Sequence, residues 1–134
     1  MNPVRAGLYA KLTATSAITS QLASTDAIYH GQAPPDARWP YLIFHKQAGT
    51  KVHAFGAIAF KREVWLVKAV DRNTTSNLAE SISEACDAVL DGGSLTVAGK
   101  TLADLRHVGD VDYLEDSGDQ QFRHHGATWR VVLS

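Results

Sequence analysis

Phe60-Lys-Arg-Glu-Val-Trp-Leu-Val-Lys-Ala-Val70 decides the fold, together with the polar run Asp71-Arg-Asn-Thr-Thr-Ser-Asn77 and the segment Leu78-Ala-Glu-Ser-Ile-Ser-Glu-Ala-Cys-Asp-Ala-Val-Leu90. In an extended chain Val64, Leu66 and Val70 fall on one side, and Trp65, Val67 and Ala69 on the other. A strand apolar on both sides over its second half predicts cover on both faces of its sheet. The run 71–77 is rich in helix-capping residue types, and beyond it the apolar residues recur at helical spacing. Asp91-Gly-Gly93 ends that helix, because glycine takes the left-handed conformation a helix end often needs. Ile58 to Leu90 thus reads as a strand running into one long amphipathic helix.

Working outward, Pro3 to Leu12 has proline in its first turn and Val4, Leu8 and Leu12 four apart, which predicts a helix weakened by Gly7. Thr13 to Ser16 is a break, and Ala17 to Leu22 a second short helical turn. Asp26 to His30 is a short extended segment. The prolines of Gly31 to Pro40 exclude helix or central strand there, and Trp39-Pro40 is open to a cis bond although trans is the default. Tyr41 to Phe44 is a strand continuing to Gln47. Ala48 to Gly56, small and glycine-rich, predicts a mobile loop between strands. Ser94–Val97 and Lys100–Leu102 flank Ala98-Gly99 as a tight hairpin. Leu105 to Leu114 and Phe122 to Leu133 are long strands around the acidic tip Glu115-Asp-Ser-Gly-Asp-Gln120. The order helix, strands, helix, strands predicts an α+β domain over 1–134: an antiparallel or mixed β-sheet with one long and one or two short helices packed on one face.

A length of 134 residues suits one domain, and fractions of 45% hydrophobic and 20% charged residues are ordinary for a globular protein. A net charge of −1 and a pI near 6.6 supply no overall basic field for holding phosphates. The single cysteine, Cys86, sits in the apolar pattern of the long helix and reads as a small buried hydrophobe. The start Met1-Asn-Pro-Val-Arg-Ala-Gly does not read as a signal peptide, and no segment approaches the ~18–20 apolar residues of a membrane span, so a soluble protein made in a cytoplasm is expected.

The patterns that carry chemistry are weak. His124 and His125 are adjacent, so on a strand they point to opposite faces and do not jointly hold one ion. His30, His45, His53 and His107 stand at no ligand spacing, and no Gly-x-Ser-x-Gly elbow occurs. Asp110, Asp112, Glu115, Asp116 and Asp119 cluster at one hairpin tip, where a solvated charged turn competes with an acid site that has little apolar wall to shift a carboxylate. Lys61, Arg62 and Lys68 with Trp65 imitate a nucleic-acid face, but Glu63 and the balanced charge favour a solvated or oligomer-facing strand. Trp65, Trp129, Phe55 and Phe60 fit either a monomer core or contact with a neighbouring subunit. No catalytic, cofactor-binding or metal-ligating residue and no cofactor is predicted.

Leu8 to Leu22, the Ile28-Tyr29 pair with the proline loop and Trp39-Pro-Tyr-Leu-Ile43, the Val64–Leu90 unit, and Phe122-Arg-His-His-Gly-Ala-Thr-Trp-Arg-Val-Val-Leu133 occur together in an order and spacing that carry a resemblance. From Leu8 to Leu133 the chain resembles the tail terminator, or tail completion, family of long-tailed bacteriophages, prophages and gene-transfer particles. The resemblance implies a non-enzymatic virion protein that forms a ring, commonly a hexamer, on the head-proximal end of the tail tube. Such a ring stops tube polymerisation, meets the head-tail connector proteins and lets DNA pass. The acidic tip Glu115, Asp116 and Asp119 is then expected to border the lumen. Two readings of other classes remain: a small metal-dependent hydrolase, which metal analysis separates, and a nucleic-acid-binding adaptor, which salt-dependent DNA binding separates.

Overall fold

Apolar alternation in the long strands and helical periodicity in two segments produce a sheet with helices on one face. The computed structural model describes residues 2–54, 56–75 and 77–134. Its elements are α1 (Pro3–Ala14), α2 (Ser16–Thr19), β1 (Ile28–His30), β2 (Tyr41–Ala54), β3 (Ala57–Arg72), α3 (Leu78–Leu90), β4 (Leu102–Ser117) and β5 (Gln120–Leu133). The sheet order is β1-β2-β3-β5-β4; β1 runs parallel to β2 and the other pairs are antiparallel. The strand that opened the sequence reading is the centre of this sheet.

α1 begins where Asn2 Oδ1 accepts from the Val4 and Arg5 amides at 2.8 and 3.4 Å, satisfying donors that the first turn leaves free. Gly7 is required by packing: a Cβ there would stand 2.6 Å from the Thr96 carbonyl oxygen. Val4, Leu8 and Leu12 of α1 and Ala79, Ile82, Cys86 and Leu90 of α3 bury against Trp65, Val67, Ala69, Ala127, Trp129 and Val131. α3 ends at Leu90 as its glycines imply, with Gly92 at φ 68°. Its N-cap Asn77, at φ 54°, does not cap with its side chain; its Oδ1 instead accepts from Arg123 at 3.1 Å.

Several expectations are corrected. The fold is mostly β, about two strand residues for each helical one, with three short helices on a five-stranded mixed sheet rather than one long helix packed on a sheet. α1 and α3 are of nearly equal length, 12 and 13 residues. The main cause is Ala48–Gly56, expected as a loop: β2 continues to Ala54 and pairs with β3 as far as Ala54↔Ala57, absorbing irregularity in register shifts at Lys46/Ala48 and Val52/His53. Backbone pairing needs no large side chain, so the small residues there did not betray a strand. Residues 94–101 form no hairpin strands. A turn is present, with the Lys100 amide donating to the Val97 carbonyl at 3.1 Å, but the segment packs over α1 and buries Val97. The second helix is only Ser16–Thr19, and of the two forms open to Trp39-Pro40 the cis one is present in place of the default.

Candidate assembly surface

The two faces of the sheet are covered differently. On the face without helices, Ile43, Leu66 and Val70 are buried yet lie outside the helix-packed cluster. Part of their cover is the proline-bearing segment 31–40, which lies against Tyr41, Ile43, Phe122 and His124. Trp39 meets Phe122 edge-on at 5.4 Å between ring centroids, and the Arg72 guanidinium sits 5.7 Å from the Trp39 ring. The rest is polar side chains laid flat. Lys68 crosses above Gly126, its cross-strand partner, and donates to the Tyr113 hydroxyl at 2.8 Å. A Cβ at position 126 would run into the Val67 carbonyl oxygen and the Lys68 backbone. Tyr113 stacks on His124 at 4.4 Å, and His124 Nε2 bonds Glu115 Oε1 at 2.7 Å. Burial lowers the His124 pKa below the usual histidine value despite that carboxylate, and Lys68 adds to the lowering.

The acidic tip is partly dismantled by these contacts. Glu115 belongs to the His124 bond, Asp116 accepts from Gln121 at 3.1 Å, and Asp119 sits in the turn. All three are exposed, and Glu115 and Asp116 lie in β4 rather than in a loop. His124 and His125 pair with Val70 and Ala69 and therefore sit on opposite faces. Among the described residues no group of three or more His, Cys, Asp or Glu side chains is placed to hold a metal. Cys86 is buried, which pushes its thiol up to about 12 and keeps it protonated.

Trp65 and Trp129 belong to the monomer core at 1% exposure each, so neither is free for a base or a neighbouring subunit. Phe60 is half-buried, and Phe55 lies outside the described residues. Glu63 is buried rather than solvated. Its Oε1 accepts from the Trp65 indole at 2.8 Å, and its Oε2 lies 3.0 Å from Lys61 and 3.7 Å from Lys46. Burial pushes this carboxyl up, but the indole bond and the two lysines outweigh it and hold the pKa below the ordinary value. The spacing Glu63-x-Trp65 on one strand face was the available signal for this pair.

Two open edges remain. β1 covers β2 only from Leu42 to Phe44, and β5 covers β3 only from Lys61 onward. Past Phe44 the outer edge of β2 is open, and past Lys61 only β2 and β3 remain, a two-stranded arm that ends at the Ala54↔Ala57 pair; at its root the side chains of Lys51 and Arg62 make no hydrogen bond or ion pair among the described residues. At the far side β4 is the edge, and it carries Val108, Tyr113 and Leu114, exposed at 57, 44 and 52%. Beside it lies a recess of about 330 Å³ lined by Asp87, Asp91, His107, Asp110 and Trp129. Sequence reasoning missed this recess because α3, β4 and β5 each contribute to it.

The fold is a helix-faced mixed sheet with open edges. The profile of the family described as tail completion protein gp17 matches residues 6–134. The chain belongs to that family. It is thus a structural protein of the phage tail, and its place is the virion. No curated protein matches it in sequence. In fold it is similar to a chain in the virion of the native gene transfer agent particle, with a TM-score of 0.79 and 13% identity over 98% of this chain and 95% of that one. A second solved chain aligns at a TM-score of 0.65 and 18% identity over 98% of this chain and 94% of its own length. No helix of this tail completion protein is long and apolar enough to cross a membrane, among the described residues.

Proposed function

We propose that this tail completion protein, acting as a single domain over 1–134, forms a closed ring, six-membered, at the head-proximal end of the tail tube. The ring stops tube polymerisation and joins the tube to the head-tail connector, and DNA passes through it without specific binding. The observation that carries this reading is the family match, which takes in all but the first few residues of the chain. The protein works by contact rather than by catalysis. A thiol held protonated, and carboxylates at the tip engaged with His124 and Gln121, support that view. Glu115, Asp116 and Asp119 border the lumen, where negative charge keeps DNA from sticking at approaches within a Debye length of ~8 Å.

Two measurements test this. Particles assembled without the protein should carry tubes of uncontrolled length that do not join heads; tubes of normal length joined to heads would overturn the reading. Changing Glu115, Asp116 and Asp119 together to Lys should leave assembly intact and slow DNA passage, with the defect eased by added salt. Full infectivity at low salt would return the tip to the outer surface.

A further inference from the structure

Both open edges call for a partner, and their charges say which. A two-stranded ribbon alone is marginal in water, so the β2–β3 arm needs something to lie against. β4 spans Leu102–Ser117 and contains no Lys and no Pro, two of the residues that commonly blunt an exposed edge. Away from the tip it carries Asp104, Asp110 and Asp112 against the single Arg106, with exposed Val108 and Leu114; Asp110 also bonds His107 and Asp112 pairs with Arg123, both within the same copy. Two β4 edges therefore repel each other, which disfavours a two-fold pairing of like surfaces. The open edge of β2 carries Lys46 and Lys51 and no acidic residue; Lys46 and, on β3, Lys61 pair with the buried Glu63, which leaves Lys51 as the free cation of that edge among the described residues. An acidic edge and a basic edge on opposite sides of one sheet make a head-to-tail contact, the kind that closes into rings.

Resting on the ring reading above, we propose that neighbouring copies join edge to edge, the outer edge of β2 in the arm of one copy pairing with β4 of the next. Strand parity supports this. Lys51 pairs with Lys61, on the same side of β3 as Glu63 and Trp65 and hence on the helix side. Asp110 and Asp112 pair with Ala127 and His125, on the same side of β5 as Trp129. A sheet continued across the join keeps its helix faces together, so Lys51 arrives on the side of Asp110 and Asp112. The apolar Val108 and Leu114 are covered at the same join.

The test uses the full chain and reads particle mass by light scattering, with circular dichroism to confirm folding. The arm variant Lys51→Glu and the edge variant Asp110→Lys/Asp112→Lys should each lose the assembled species that the wild type forms. Carrying all three changes in one chain should restore it, because the reversed arm then meets a reversed edge. Should a reversal unfold the chain, the neutral versions Lys51→Gln and Asp110→Asn/Asp112→Asn are read in the same way, with partial loss expected. If the reversed variants assemble like the wild type, or the triple variant stays dissociated, the edges do not join copies and belong to another partner, while the ring reading survives. A wild type that never exceeds one copy, even on tube ends, overturns the ring reading and this inference with it.

Discussion

The helix-covered face of the sheet and its open face bury similar strands by different means. Under α1 and α3 the cover is dry: Trp65, Val67, Ala127 and Trp129 meet Leu8, Leu12, Ile82 and Leu90 in one cluster. On the other face Leu66 and Val70 are as buried as many core residues, but the layer above includes the segment 31–40, Lys68, Tyr113 and His124. Long side chains with apolar stems and polar ends cover apolar surface while keeping their charges hydrated. A helix layer therefore suits bulk stability. A layer of side chains leaves a face that can meet other proteins and respond to pH.

The largest effect is expected from a charge placed on the dry side. Ile82→Asp buries an unpaired carboxylate at a site with 0% exposure, at a cost of several kcal/mol, on the order of a domain's whole stability. Loss of the cooperative thermal transition checks it. A variant that melts near the wild-type temperature would mean that this face is not the core.

On the open face, Leu66→Ala should cost about 2–4 kcal/mol, read as a shift in the urea midpoint with an unchanged slope. A shift near zero would show that the open face is solvated and the contrast between the faces is sharper than drawn. The protein should remain folded, since the helix-side cluster is untouched.

The smallest effect distinguishes the faces by pH. The lowered pKa of His124 means that the folded state binds fewer protons than the unfolded state, so stability rises with pH through that window. Its contribution is full above the free-histidine value of 6.5 and is lost as pH falls through 6.5 toward the lowered value. His124→Gln should therefore flatten part of the dependence of melting temperature on pH below that point. His30, also lowered by burial with Arg5 and His45 adding, leaves a remainder. An unchanged slope in the variant would place His124 in water.

Much of this was legible in the chain. Val64 to Val70 announced a strand covered on both faces, and Leu78 to Leu90 with Asp91-Gly-Gly93 announced a helix and its stop, because side-chain period and glycine conformation are local properties. The adjacency of His124 and His125 likewise placed them on opposite faces before any fold was known. The family resemblance rested on the same local pieces in order. What misled was Ala48–Gly56, whose small residues read as loop.

By itself, then, the sequence determined the central strand, the α3 stripe, the two long final strands and the absence of ligand spacing among its histidines. Only the tertiary structure decided that 48–54 is strand, that Glu63 is a buried partner of Trp65 and two lysines, and that the open face is covered in part by Lys68, Tyr113 and segment 31–40. It alone set a basic arm and an acidic β4 edge on opposite sides of one sheet. The reason is physical. Periodicity reports which side of its own element a residue faces, but pairing, burial of charge and edge position depend on which distant strand arrives beside it.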